Sequence, residues 1–117
     1  MMQACVPAAS GPVSGSPTGL SATPNGSSSA SLTWTDGASG ENRYDVERAL
    51  STSGVCGTYA VVASIAANSA AYTVLGMSGG TSYCFRVRAL NSFNGGTASA
   101  YSNEATATTK TTPPPFA

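Results

Sequence analysis

The segment Gly80-Thr81-Ser82-Tyr83-Cys84-Phe85-Arg86-Val87-Arg88-Ala89-Leu90-Asn91 constrains the fold more than any other part of the chain. Tyr83, Phe85, Val87 and Ala89 alternate with Ser82, Cys84, Arg86 and Arg88. A period of two places the first set on one face of a strand and the second on the other. One face is apolar and one is polar. The strand therefore belongs to an antiparallel sheet with one face on a core and one toward water.

The rest of the chain suits such a sheet. With 117 residues it is long enough for one small domain. Only 9% of residues are charged, and five basic side chains balance five acidic ones. That balance gives no electrostatic reason to expect nucleic acid or an anionic membrane as partner. No apolar run reaches the ~20 residues of a membrane-spanning helix. Met1-Met2-Gln3-Ala4-Cys5 has neither the basic start nor the apolar stretch of an intact signal peptide. Export would require a targeting segment outside these residues. No window of about 11 residues keeps helical apolar spacing. The Ala-rich stretch Val61 to Ala71 contains Val61, Val62 and Ile65, which favour a strand followed by a loop.

Seven strand signals follow in order. They are A (Ser16 to Ala22), B (Ser29 to Thr35), C (Arg43 to Leu50), C′ (Thr58 to Ile65), E (Ala70 to Leu75), F (the segment Gly80 to Asn91) and G (Ala98 to Thr109). Pro24-Asn25-Gly26, Asp36 to Gly40, Ser51 to Gly57, Gly76 to Gly80 and Ser92 to Gly96 read as turns and loops. Short strands at intervals of about 8–12 residues indicate a sandwich or barrel. Residues 1–15, with Pro7, Gly11, Pro12 and Gly15, read as a flexible tail. Residues 110–117, which hold Pro113-Pro114-Pro115, read as a Pro-rich linker. Such ends are expected of a module cut from a longer chain. Leu20, Leu32, Trp34, Tyr44, Val46, Tyr72, Val74, Met77, Tyr83, Phe85 and Val87 form the expected interior.

Charges suggest how C pairs with F. With Ala49 opposite Cys84, Glu47 meets Arg86 and Asp45 meets Arg88. All four are then expected outside, as exposed pairs contributing about 0.2–1 kcal/mol each.

An ordered series of anchors resembles the fibronectin type III family. The anchors are Trp34, Tyr44-Asp45-Val46-Glu47-Arg48, Tyr72, Met77, Gly80 to Ala89, and Ser99-Ala100-Tyr101-Ser102-Asn103-Glu104. The resemblance covers residues 16–109 and is to domains of the kind attached to bacterial secreted enzymes and surface proteins. It implies an all-β fold, a seven-stranded immunoglobulin-like antiparallel β-sandwich with sheets A-B-E and C′-C-F-G. It also implies that Tyr83 is the structural tyrosine-corner residue, bonding back to backbone near the E–F turn. The family usually carries Leu where Met77 stands; Met is a flexible, near-isosteric replacement.

Three cysteines leave one over. The C–F register brings Cys84 near the end of C, where the loop holding Cys56 begins. A Cys56–Cys84 disulfide is expected, with two free thiols as the alternative. Cys5 remains a free thiol, an intermolecular bridge, or a partner for a segment outside this sequence. Ala4-Cys5 also matches a lipoprotein cleavage site in its last residues, without the apolar stretch that precedes one.

Catalysis finds no support. Histidine is absent, which removes a Ser-His-Asp triad, a Cys-His pair and His-based zinc sites. No phosphate-binding loop occurs, and no cofactor or metal is expected. Asp36, Glu41 and Asn42 share one loop without the spacing of a calcium loop, and read as solvated charges. Asn25-Gly26-Ser27 fits a glycosylation acceptor and, more simply, an Asn-Gly turn. The leading expectation is therefore a noncatalytic extracellular spacer or interaction module. Its partners are neighbouring domains of a parent chain or other protein subunits. One alternative is a carbohydrate- or protein-binding module, with Phe93 at the F–G loop tip and Tyr101 and Tyr59 as an aromatic platform for polysaccharide. A second is a self-assembling fibre subunit, because the edge strands A, C′ and G carry almost no charge.

Overall fold

The computed structural model describes residues 13–91 and 97–111. It is all-β among these residues, and its sheets are antiparallel. The first sheet orders β2 (Thr18–Pro24), β3 (Ala30–Thr35) and β8 (Ala71–Val74) side by side. The second centres on β5 (Arg43–Thr52) and β9 (Ser82–Asn91). β7 (Ala60–Ala66) and β6 (Val55–Cys56) pair with β5, while β10 (Thr97–Ala98) and β11 (Ala105–Thr108) pair with β9. These are the expected layers A-B-E and C′-C-F-G.

The core forms where the inner faces meet. Leu32, Trp34, Tyr44, Val46, Val74, Met77, Tyr83, Phe85 and Val87 are buried there, with Ala30, Ala89 and Ala107 between them. Tyr72 is only half-buried at the margin. Phe85, Tyr44, Val46 and Val87 are wholly removed from solvent. Full burial of one such side chain contributes roughly 1.5–3 kcal/mol before ordering entropy is counted.

The register between β5 and β9 is the one the charges suggested: Asp45 faces Arg88, Glu47 faces Arg86 and Ala49 faces Cys84. The expected exposure of the four charges is corrected. Asp45 and Glu47 are each only 5% exposed. Arg86 and Tyr101 bond the Glu47 carboxylate, and Ser64 and Arg43 bond that of Asp45.

Four segments differ from the sequence reading, two of them being Ser14-Gly15 and Ala38-Ser39, read as tail and loop but paired with each other. Ser51 to Gly57 is not a plain loop, because β5 continues to Thr52 and folds back as β6. The turn is Ser53-Gly54, with φ of 52° and 79°. Positive φ at both residues is what a two-residue hairpin turn needs to match strand twist. Strand G is broken rather than continuous. Ala98 faces Leu90 and Ala105 faces Phe85, so the six residues 99–104 span the four positions 86–89. Serine hydroxyls keep the ladder satisfied through this crimp. Ser99 and Ser102 donate their N–H to the carbonyls of Ala89 and Val87 at 2.8 Å. In return Ser99 Oγ accepts Ala89 N–H at 2.9 Å and Ser102 Oγ accepts Val87 N–H at 3.1 Å.

The first and last described segments are bonded at opposite ends of the first sheet. Ser14 and Gly15 form β1 and pair with Ser39 and Ala38 of β4 (Ala38–Ser39), just beyond the end of β3. The backbones cross so closely that a Cβ on Gly37 would stand 2.6 Å from Ser16 O. At the other end Lys110 N–H donates to Gly26 O at 2.9 Å, in the turn that joins β2 to β3. Gly80 N–H donates to Lys110 O at 3.0 Å. The exposed side of β2 is partly occupied: the Asn103 amide accepts from Leu20 N–H at 2.8 Å and donates to Leu20 O at 3.0 Å.

Candidate functional site

The outer face of the second sheet carries the densest polar cluster among the described residues. Arg86 stands at its centre. Its Nε and Nη2 lie 2.9 and 2.8 Å from Glu47 Oε1 across the β5–β9 pair. Tyr101, raised by the crimp in strand G, donates its hydroxyl to Glu47 Oε2 at 2.8 Å. Both oxygens of the buried carboxylate are thus satisfied, as burial of a charge demands.

The Arg86 guanidinium also lies between two rings, 4.0 Å from the Tyr59 centroid and 3.7 Å from the Tyr101 centroid. Arg88 lies 4.7 Å from the same Tyr101 ring. Cations over aromatic faces gain about 0.5–2 kcal/mol, the larger values applying where water is excluded. Tyr59 donates to Glu104 Oε2 at 2.8 Å, which ties the strand-C′ side of the sheet to strand G. Asp45, two residues before Glu47 on β5, accepts from Ser64 Oγ at 2.7 Å and pairs with Arg43 Nε at 3.2 Å. Its cross-strand neighbour Arg88 stacks on Tyr101 instead.

The cluster therefore interlocks four strands through side chains already bonded to one another. Glu47→Ala would remove one ion and strand Arg86 and the Tyr101 hydroxyl. The expected loss is about 2–3 kcal/mol, discounted from a fully buried pair because Arg86 is part-exposed. Urea unfolding followed by Trp34 fluorescence measures it. A loss below about 0.5 kcal/mol would mean the cluster is an ordinary surface pair.

Burial, and then the hydrogen bond to Glu104, push the Tyr59 pKa up. Burial and the bond to Glu47 act the same way on Tyr101. The folded state thus holds these protons to higher pH than the unfolded chain does. Their contribution is fully present below the unfolded value of about 10 and is lost as pH rises from there through the folded pKa. Stability is expected to hold through neutral pH and fall above about pH 10, and the fall should be smaller in Tyr59→Phe/Tyr101→Phe. Denaturant midpoints across the alkaline range test this, and an equal fall in both proteins would contradict it.

Tyr59 and Tyr101 accordingly pack on their own sheet, the simpler reading of single aromatics, and direct their ring faces at Arg86. Cys56 and Cys84 are disulfide-bonded, with their Cα atoms 5.9 Å apart. The β6 hairpin carries Cys56 to this position, and Cys84 is wholly buried beneath the outer face. Tyr83 is buried at the base of β9, and its hydroxyl accepts Ser78 N–H at 2.9 Å. Its ring faces the Arg48 guanidinium at 5.0 Å. Phe93 and Cys5 lie outside the described residues. Glu41, read as a solvated loop charge, is buried and accepts Asn68 N–H at 3.2 Å. Asp36 accepts the Tyr44 hydroxyl. No cluster of three or more metal-ligating side chains occurs among the described residues.

Comparison with known proteins identifies this architecture. The fibronectin type III domain profile matches residues 15–107, and the chain belongs to that family. An Fn3-like protein from Clostridium thermocellum is 37% identical, with a TM-score of 0.62, over 78% of this chain and 88% of that one. A structure of titin kinase and its flanking domains is 31% identical, with a TM-score of 0.68, over 86% of this chain. The match covers 18% of the chain in that structure, so there the domain is one module among several. The fn3 domain of the human collagen α-1(XX) chain shares the fold, with a TM-score of 0.66 at 23% identity, over 86% of this chain and 89% of that one. No curated protein matches at a significant level. Domains of this family are generally noncatalytic modules of multidomain chains, and are often extracellular.

Proposed function

We propose that this chain is a noncatalytic spacer module of a secreted or cell-surface protein, holding neighbouring domains apart at a fixed separation. The observation that carries this reading is the placement of its two bonded ends. The N-terminal side is paired beyond the end of β3, through Ser14, Gly15, Ala38 and Ser39. The C-terminal side is bonded at the β2–β3 turn, through Lys110 and Gly26. The length of β2 and β3 therefore separates the point where the chain enters the module from the point where it leaves. Ser14, Gly15 and Lys110 belong to the bonded module, and residues before 14 and after 110 act as the connections. The Cys56–Cys84 bond supports an oxidising compartment, since such bonds persist outside the cytosol.

A polysaccharide platform at Tyr59 and Tyr101 has less support. Each ring presents a face to Arg86, and both hydroxyls are already donated to carboxylates.

The test places donor and acceptor fluorophores on folded domains fused to the two ends. Each further copy of the chain should lengthen their separation by at least about 20 Å, the span of its strands. A separation that grows only as that of a flexible linker does, roughly with the square root of residue number, would overturn the spacer reading.

A further inference from the structure

We propose that Asn25-Gly26 is a spontaneous deamidation site, and that its isoaspartyl product loosens the tie between the sandwich and the departing C-terminal segment. The reacting atoms are neighbours in the chain. The Gly26 nitrogen attacks Asn25 Cγ and loses its proton. The Cγ–Nδ2 bond breaks, and the nitrogen leaves with that proton as ammonia. A five-membered imide remains, and water then opens one of its two carbonyl–nitrogen bonds. Opening at Cγ gives aspartate. Opening at the main-chain carbonyl gives isoaspartate, with the chain now running through Cγ.

Five features of this turn favour the step. Asn25 is exposed, so water and base reach it. Gly26 has no side chain to hinder approach to its nitrogen, and the space where a Cβ would stand is open. Its φ of 100° is a conformation that glycine adopts without strain. The Gly26 N–H makes no hydrogen bond among the described residues, which leaves the nucleophile uncommitted. The Asn25 carboxamide is held only by its nitrogen, which donates to Ser31 Oγ at 2.6 Å.

The consequence comes from the bonds that the turn supports. Asn25 N–H donates to Ser29 O at 2.8 Å, Ser28 O accepts Met77 N–H at 2.9 Å, and Gly26 O accepts Lys110 N–H at 2.9 Å. An extra methylene in the main chain between Asn25 and Gly26 displaces the last of these acceptors. Aspartate adds the same charge without lengthening the chain, and leaves the acceptor in place.

The experiment incubates the intact 117-residue chain in mildly alkaline buffer and follows the charge change by ion exchange. Peptide mapping and isoaspartyl methyltransferase labelling locate the product. Asn25 is expected to convert at least about tenfold faster than Asn42, Asn68 and Asn103, whose successors all carry side chains. Asn94-Gly95 has the same dipeptide and is scored separately. The fraction with isoaspartate at 25 should exchange its Lys110 amide proton about tenfold faster than fresh protein, while Asn25→Asp should not. Asn25→Gln should block conversion at this position. An Asn25 that keeps its amide while Asn94 loses its own would overturn the site. An isoaspartyl product with Lys110 as protected as before would overturn the consequence.

Discussion

Phe85→Ala is expected to lower the unfolding free energy by about 3–5 kcal/mol, the range for deleting a fully buried phenylalanine. Phe85 is 0% exposed on β9, between the two sheets. Its ring packs beside that of Tyr83, with centroids 6.4 Å apart. On either side its strand is held by β5 at Arg48 and by β11 at Ala105. That bracketing is why the loss should lie high in the range. A strand paired on both edges cannot move inward to fill the hole, and the cost of a cavity depends on such collapse. For a domain whose total stability is of order 5–15 kcal/mol, the loss removes a large share. Urea unfolding read by Trp34 fluorescence measures it. Phe85→Leu, which keeps most of the volume, should lose less than half as much. A loss below about 1 kcal/mol for Phe85→Ala would show that this position is loosely packed.

The second large effect is expected from the Cys56–Cys84 bond. The cysteines are separated by 28 positions, and closing a loop of that size removes about 3–4 kcal/mol of unfolded-chain entropy in the loop-closure description. Cys56→Ala/Cys84→Ala should therefore unfold at a markedly lower urea concentration than the oxidised protein. The bond also has a local role. Tyr59 lies three residues beyond Cys56 and must return to the sheet to cover Arg86. Without the bond, the 53–59 segment is held by short β6 pairing, by Gly57 N–H on Leu50 O and by the Tyr59 contacts. Hydrogen exchange should rise there before it rises in β5 or β9. Equal midpoints for the two proteins, or alkylation of both cysteines without reductant, would contradict this.

The parts of the fold that were legible in the sequence share one cause. Ala30, Leu32 and Trp34 in β3, and Tyr83 to Ala89 in β9, alternate because one face of each strand meets the core. Opposite charges at Asp45, Glu47, Arg86 and Arg88 could fix a register because a slip of one residue turns every side chain to the other face. The crimp in strand G was not legible. Ser99 and Ser102 look like ordinary exposed residues until their hydroxyls are seen replacing main-chain acceptors. For the same reason the position of Tyr101 over Arg86 could not be derived from a straight strand. The burial of Glu47 was missed because the tyrosines that cover it arrive from distant segments. Ser53-Gly54 carried the one local signal that was overlooked, a small residue and a glycine between two strand-forming runs.

The pairing of β5 with β9 sets the core on one face and the Glu47–Arg86 cluster on the other. Cross-strand proton contacts in the NMR spectrum of the folded chain test it most directly. Contacts linking Asp45 with Arg88, Glu47 with Arg86 and Ala49 with Cys84 are predicted. A set displaced by one residue, pairing Glu47 with Phe85 or Val87, would contradict it.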